Sequence, residues 1–420
     1  MRQAARALNE IQLLSEFWTS VYWRQEHRWN RLLPSSVRSE LNRRSFPQVR
    51  QDQIRSRPWR EMARLLAGRL GLTSLTRHEV GPFCMDAVYR SLDRRVAARL
   101  RDAKGVQAVY AYEDGAVETF RAARRLGVKT VYELPIGYWK PYRELMEEEA
   151  ALQPEWASTL PGNIDSSEKL RRKDEELAMA DHIVVASEFV RGTLSRAGSL
   201  GATINVVPYG AYAETSIKKE VRPPDGRLRI IFVGALTQRK GLSYLLRAVE
   251  QLGSRVELTI IGRRVGECRE LDRALRTHQW IPSLSHASVL REISRHDVMV
   301  FPSLFEGFGL VLLEAMSVGV PVVTTPNGGA PDFITDGTDG FIVPIRNVEA
   351  IVERLELLLD DHERLPAMIQ AALLKAGQCS WERYRQRLGN VVREFTEEKG
   401  TLASSSLCSC PSRLRACNPC

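Results

Sequence analysis

The chain has 420 residues, 44% of them hydrophobic, with 60 basic against 51 acidic side chains and a formal net charge of +9. At roughly 100 to 200 residues per domain, that length supports two or three folded units, each burying its own core. No apolar run approaches the roughly 20 residues that a membrane-spanning helix needs, and the charged start MRQAARALNEIQLL lacks a signal-peptide core, so a cytoplasmic protein is expected.

In chain order, helical spacing predicts helices over 2–16, 59–70, 85–103 and 115–126, with strands at VQAVYAY and KTVYELP. A first alternating α/β unit follows from that order. The stretch 43–60, RRSFPQVRQDQIRSRPWR, is rich in arginine and holds a single aspartate. It reads either as a solvated face or as a patch drawn to an acidic acceptor or an anionic membrane surface, hence peripheral association at the inner face of the membrane. No recognised binding motif accompanies the charge, so no nucleic-acid partner is expected. The acidic run Glu147 to Glu149 reads as a solvated helix face.

From about Asp181 onward, buried strands alternate with amphipathic helices. HIVVAS, INVVPYG, LRIIFVG, VELTIIG, DVMVFPS, VPVVTT and GFIVP are the strands, and LSYLLRAVEQL, SVLREISR, GLVLLEAMS and EAIVERLELLLD lie between them. Such repetition predicts a doubly wound parallel sheet whose ligand site lies beyond the carboxyl ends of its strands. AYAETSIKKEVRPPDGR, residues 211–227, has the charge, prolines and glycine of a linker. CSWERYRQRLGNVVREFTEE, residues 379–398, predicts a late amphipathic helix. Cys84, Cys268 and Cys379 are scattered singly, whereas Cys408, Cys410, Cys417 and Cys420 crowd the end, where little apolar periodicity surrounds them. A disordered tail is expected there rather than a zinc site.

The clearest chemistry begins at Phe301, in FPSLFEGFGLVLLEAMSVGVPVVTT. A strand ends at Ser303, Gly307 and Gly309 free a tight turn, and a leucine-rich helix begins near Leu310. Unpaired N–H groups at that helix start suit a phosphate or a polarised sugar hydroxyl. Glu306 stands at the lip of the turn and Glu314 follows inside the apolar helix. Both need partners, either ligand hydroxyls or a nearby Arg or backbone N–H. Upstream, Lys240 sits just before Gly241 at a second helix start, where an ammonium suits a diphosphate, and Arg239 either helps or points to solvent. Gly328 and Gly329 bring a third turn to the same sheet edge.

Residues 228–344 resemble the donor-binding half of family 4 glycosyltransferases of the GT-B fold. The resemblance rests on the Glu306 and Glu314 pair within FEGFGLVLLEAMSVGVPVV, on VGALTQRKG, and on NGGAPDFITDGTDGFIVP. ADHIVVASEFVRGTL with INVVPYG, residues 180–210, is similar to the end of that family's first domain. The resemblance implies two Rossmann-like doubly wound parallel-sheet domains facing a central cleft, with a C-terminal helix crossing back. The first spans 1–210, the linker 211–227 and the donor domain 228–378. The crossing helix spans 379–398 and the tail 399–420.

It also implies a UDP- or GDP-linked nucleotide sugar as co-substrate, retention of anomeric configuration, no metal and no further cofactor. Lys240 would hold the donor diphosphate, Glu306 the transferred sugar and Glu314 the ribose, with Gly234, Arg239, Gly262, Arg263, Gly307, Phe308, Gly309 and Leu310 completing the donor site. The nucleotide base would be read around 262–264 and 281–283. The acceptor would be a saccharide, a lipid-linked compound or a small molecule.

Three departures qualify the resemblance. Ala235 stands where the family often has arginine. TVYELPIGYWKPY lacks the histidine many members carry near the reacting sugar, leaving Glu133, Tyr138 or Trp139 to line the acceptor side, with His78 a distant alternative. The chain also opens in what reads as a helix, where such domains begin with a strand and a glycine loop, so an earlier start or a truncated form is expected. The alternatives to a transferase are a catalytically impaired partner subunit, or an epimerase acting on sugar nucleotides, for which no acid and base pair is evident.

Overall fold

The computed structural model describes residues 1–24, 38, 41–42, 44–160, 164–211, 217, 219–220, 226–361 and 363–404. Most of the expected linker and the four terminal cysteines lie outside the described residues. Among the described residues, no helix is long and apolar enough to cross a membrane.

The first unit runs α1 (Arg2–Glu10), β1 (Phe17–Thr19), β2 (Ile54–Ser56), α2 (Trp59–Arg69), α3 (Met85–Asp102), β3 (Ala108–Tyr112), α4 (Val117–Arg125), β4 (Lys129–Leu134), α5 (Trp139–Leu152), α6 (Ser167–Ala178), β5 (His182–Val185) and β6 (Thr203–Val206). Strands β3 to β6 pair in parallel, in sequence order, while β1 and β2 form a separate parallel pair. The helix expected over 2–16 stops at Glu10. Gln12 turns to φ +60°, and the chain is recruited into β1 by pairing with residues far along the sequence.

The second unit runs β7 (Leu228–Val233), α7 (Leu242–Leu252), β8 (Val256–Ile261), α8 (Arg269–Thr277), β9 (Gln279–Ile281), α9 (His286–Ile293), β10 (Val298–Phe301), α10 (Leu310–Ser317), β11 (Val322–Thr324), β12 (Gly340–Ile342), α11 (Val348–Asp360) and α12 (Arg364–Gln378). Its six parallel strands are ordered β12-β11-β10-β7-β8-β9. Helices cover both faces, which is why LRIIFV and VMVF are apolar almost throughout and Ile230, Ile231 and Val298 to Val300 are fully buried. Leu242, Leu245, Val249 and Leu252 give α7 a buried stripe at helical spacing. The strand order reverses between β7 and β10, and ligands of such sheets bind where the two following turns part.

The last helix, α13 (Trp381–Ser404), runs past the expected end at 398 and packs with α1 on the first sheet. Tyr384, Leu388, Val392 and Phe395 join Ala4, Ala7, Val131, Val184 and Val207 in one core. The chain leaves the first sheet at Gly210 and returns beside it: Ala211 N donates to the Cys379 carbonyl at 2.9 Å. A Cβ on Gly210 would collide with the backbone of Ser380.

The units are also joined through Glu149 on α5. This residue belongs to the run expected to be a solvated face, and Glu147 and Glu148 are exposed, but Glu149 is 0% exposed. Its Oε1 accepts from Gln238 Nε2 at 2.7 Å and from Tyr244 OH at 2.8 Å, and its Oε2 from Arg346 Nε at 2.7 Å. All three donors lie in the second unit. Just beyond α5, Thr159 Oγ1 accepts from Gln238 N at 2.9 Å.

Two stability outcomes follow from these junctions. Gly210→Ala forces backbone apart and should cost about 1–3 kcal/mol, the range for overpacking, read as a lower urea midpoint. Glu149→Ala strips the charge from a buried pair and should cost about 3–5 kcal/mol, whereas Glu149→Gln, which keeps an accepting oxygen, should cost less.

Candidate functional site

Two turns leave the diverging strands and meet. After β7, Thr237 caps a single turn over Gln238–Lys240, its Oγ1 accepting from Arg239 N at 3.1 Å. Gly241 ends that turn at φ +70°, where a Cβ would collide with the Pro302 carbonyl oxygen. Only glycine allows α7 to start so close to the turn that follows β10. Leu304 N then donates to the Arg239 carbonyl at 2.8 Å, tying the two turns together.

Lys240 and Glu306, some 66 residues apart in sequence, are thereby brought into contact. Lys240 Nζ donates to Glu306 Oε2. Arg239 Nη1 donates to the same oxygen at 3.1 Å and to the Phe305 carbonyl at 2.7 Å. Lys240 Nζ also lies 4.6 Å from the centre of the Phe301 ring. Two cations thus face one carboxylate, leaving positive charge in excess. Burial, helped by the neighbouring guanidinium, pushes the Lys240 ammonium down to about 8 despite the pull of Glu306. Burial pushes the Glu306 carboxyl up, but Lys240 and Arg239 outweigh it and hold the group below its ordinary value.

The N–H groups of Gly307, Phe308, Gly309 and Leu310 meet no acceptor among the described residues. They open α10, so unpaired donors and the positive end of a helix dipole face the same place as the two cations. The glycine loop after β11 braces them: Glu306 N donates to the Asn327 carbonyl at 2.8 Å and Gly329 N to the Phe308 carbonyl at 3.1 Å. On the other side of β7, the Gly234 N–H bonds the Ile261 carbonyl at 2.9 Å, and Leu236 N bonds the Arg263 carbonyl at 2.9 Å. The Gly262 carbonyl accepts from Trp280 Nε1 at 3.0 Å, and the Arg263 side chain is exposed.

Glu314 has a different setting from Glu306. It is 25% exposed and pairs with His286 Nε2 at 2.8 Å, across from the start of α9. The small hollow beside Glu306, lined by Phe308, Leu312, Thr324 and Asn327, does not include it. Glu314 thus has a local partner, His286 in place of the Arg or backbone N–H expected, and His286 had left no signal in the sequence.

The first unit presses against these turns. Ser187 Oγ donates to the Gly307 carbonyl at 2.6 Å while capping the short helix after β5. A Cβ on Gly307 would collide with the Pro135 carbonyl oxygen. Phe305 is held edge-on between Tyr142 and Phe189, with ring centres 5.2 and 5.0 Å away. The hollow left beside Glu306 has a volume of only ≈ 10 Å³. Ser187, in VVASEFV, carried a sequence signal as a helix cap after a strand, but not as a partner of Gly307.

The three residues expected on the acceptor side bond to other residues of the first unit. Glu133 is buried, its oxygens accepting from Tyr209 OH at 2.7 Å and Tyr110 OH at 2.6 Å. Tyr138 OH and Trp139 Nε1 both donate to Asp174 Oδ1, at 2.8 and 2.7 Å. Each polar atom found a protein partner because two aromatic neighbours or an α6 carboxylate lay within reach. His78 sits 3.0 Å from Asp165 and 3.2 Å from Glu79. These three alone among the described residues have ligand atoms spaced for a cation, but Lys169 Nζ already lies 3.0 Å from Asp165.

The model of the family described as glycosyl transferases group 1 matches residues 213–374. A putative colanic acid biosynthesis glycosyltransferase, WcaL of Salmonella typhimurium, is 29% identical over 47% of this chain and 52% of its own length. A D-inositol 3-phosphate glycosyltransferase of an Arthrobacter species is 29% identical over 52% of this chain and 58% of its own. The chain therefore spans little more than half the length of these curated relatives. Among solved structures, a sucrose-phosphate synthase from Thermosynechococcus elongatus superposes with a TM-score of 0.61 at 18% identity, over 76% of this chain and 82% of that one. HepE of Anabaena in complex with UDP gives 0.57 at 18% identity, over 71% and 82%. The chain has the GT-B fold of these structures, and its second unit carries the match to glycosyl transferases group 1.

Proposed function

We propose that the protein is a retaining glycosyltransferase of the family 4 type that moves a sugar from a UDP- or GDP-linked donor to a hydroxyl acceptor, in glycan, glycolipid or polysaccharide biosynthesis. The observation that carries this reading is the excess of positive charge at the strand divergence, where Lys240 and Arg239 both donate to one oxygen of Glu306 next to the start of α10, whose first N–H groups meet no acceptor among the described residues. A donor diphosphate supplies the missing negative charge. It would displace Glu306 from the two cations and free that carboxylate for the sugar. Gly234 and the 262–264 segment would flank the nucleotide, with Glu314 released from His286 to meet the ribose.

As the sugar departs, negative charge grows on the diphosphate and positive charge on the anomeric carbon. Donors already fixed in place lower that barrier. Lys240 and Arg239 occupy the role a divalent cation plays elsewhere, so the reaction is expected to proceed in a chelator. Ser187, Pro135 and Tyr142 close the cleft over the site, which would exclude water that otherwise hydrolyses the donor; donor entry then requires the units to part. The acceptor is a saccharide, a lipid-linked compound or a small molecule, and the arginine-rich first unit suits work at an anionic membrane surface.

A second reading, a catalytically impaired partner subunit, is favoured by the occupied oxygens of Glu133 and by Tyr138 and Trp139 both serving Asp174. The protein incubated with UDP- and GDP-sugars distinguishes the two. Release of nucleotide that depends on an added acceptor supports transfer. Donor binding without turnover supports the partner subunit, and neither would overturn both.

Lys240→Ala should lower kcat/KM for the donor by about 10²–10³-fold, the cost of one preorganised donor to developing charge. Because the free-site ammonium titrates at about 8, kcat/KM should fall roughly tenfold per pH unit above that value. Lys240→Arg, whose guanidinium stays charged, should flatten that limb of the profile.

A further inference from the structure

An open cavity lies between α2 and α3 of the first unit, at residues far in sequence from the sugar-donor turns. Its volume is ≈ 500 Å³ and it opens to solvent. Arg57 and Arg60 line it from the entry to α2, and Arg90, Arg94 and Arg95 from α3, Arg90 and Arg94 one turn apart and Arg95 beside them. None of the five lies within ion-pair distance of a carboxylate among the described residues, although acidic groups neutralise many arginines elsewhere in this unit. Arg60 Nη1 donates to the Pro82 carbonyl at 2.6 Å and its guanidinium stacks 4.5 Å from the Trp59 ring. The Nε groups of Arg57 and Arg60 are nevertheless buried and donate to nothing described. Unmet buried donors of this kind are uncommon, and five guanidinium groups around one open cavity offer an anion's oxygens charge-assisted hydrogen bonds.

A second feature adjoins the first. Trp59 lines the cavity and begins a row on α2 that continues with Met62, Leu66 and Leu70, which helical geometry places within one narrow arc. All four are exposed, Leu66 at 59% and Leu70 at 63%. Val80, in the connection into α3, and Met85, at its start, are exposed as well. A soluble surface seldom leaves such a row to water without a use for it. Guanidinium groups beside an apolar row with a tryptophan at the boundary match the two layers of a bilayer interface, phosphate above and acyl chain below.

We propose that α2 and the arginine cavity form a docking surface for an anionic phospholipid bilayer, with a lipid phosphate seated among Arg57, Arg60, Arg90, Arg94 and Arg95 and the α2 row sunk into the acyl boundary. A nucleic acid would meet the charge but gives Leu66 and Leu70 nothing to bury against. This deepens the membrane-surface part of the proposed function by naming the surface, and it stands or falls apart from the sugar chemistry, since none of its residues belongs to the donor turns.

Cosedimentation of the whole chain with vesicles of phosphatidylcholine, alone or mixed with phosphatidylglycerol, tests it. Wild type should partition onto the mixed vesicles and little onto phosphatidylcholine. Arg94→Ala combined with Arg95→Ala should weaken that partitioning about 30-fold at low salt, from the general contribution of a basic side chain near an anionic surface. Leu66→Ser should weaken it about tenfold at a salt concentration that screens the charges. Both variants should melt with wild type, because their side chains are exposed, and should turn over donor with a water-soluble acceptor as wild type does. Equal sedimentation with the two vesicle types, or equal sedimentation of the variants, would overturn the proposal. So would tight binding of inorganic pyrophosphate or duplex DNA, lost in the double variant, without binding to vesicles.

Discussion

Charge imbalance in a confined space governs this molecule. Where β7 and β10 separate, Lys240 and Arg239 share a single carboxylate oxygen of Glu306, and the start of α10 adds unpaired N–H groups to the same side. Low dielectric makes such an excess felt strongly, since little water remains to spread it. Burial, more than the neighbouring guanidinium, depresses the Lys240 ammonium, so the site holds this cation at some cost. Everything around it is arranged to keep those groups in place. Gly241 permits the close approach of the two turns, Arg239 anchors on Phe305, and the Asn327 loop supports Glu306 from below.

The first unit contributes to that arrangement from outside the donor sheet. Gln238 immediately precedes the two cations, and its amide and backbone N–H are both held by residues of the other unit, Glu149 and Thr159. The position of Lys240 is therefore coupled to the seating of α5. Arg346, which completes the pairing, sits at φ +62°, a backbone state unfavourable for its residue type. Such a state persists where the surroundings leave no alternative, and Glu149 is that constraint.

The donor-sheet fold was legible because interior parallel strands are written as unbroken β-branched runs, and each functional turn follows one such run with a glycine. The turns bearing Lys240 and Glu306 could be brought to one sheet edge from sequence for that reason, whereas the contact between the two side chains could not be read. Nor could the burial of Glu149. The run it belongs to has the same letters as its two exposed neighbours, and what buries it are donors from 89 to 197 residues away. The partners of Glu133 were hidden for a related reason, because its place at a strand end says nothing about the tyrosines that enclose it. Strands β1, β2 and β9 are three residues long, too short for periodicity, and exist through pairing alone. The arginine cavity lay half in view: the charge of 43–60 was evident, but its continuation onto α3 needed the packing of two helices.

The side-by-side passage of the chain at Gly210 and Ser380 has a mechanical meaning. One crossing departs from the first unit at Ala211 and the other comes back to it at Cys379 and Ser380, within one small neighbourhood, while Glu149 grips the second unit elsewhere. Two passages tied side by side restrain twisting more than a single passage would. The turn bearing Glu306 would then return to the same address after every excursion, without depending on the many weak contacts along the rest of the seam.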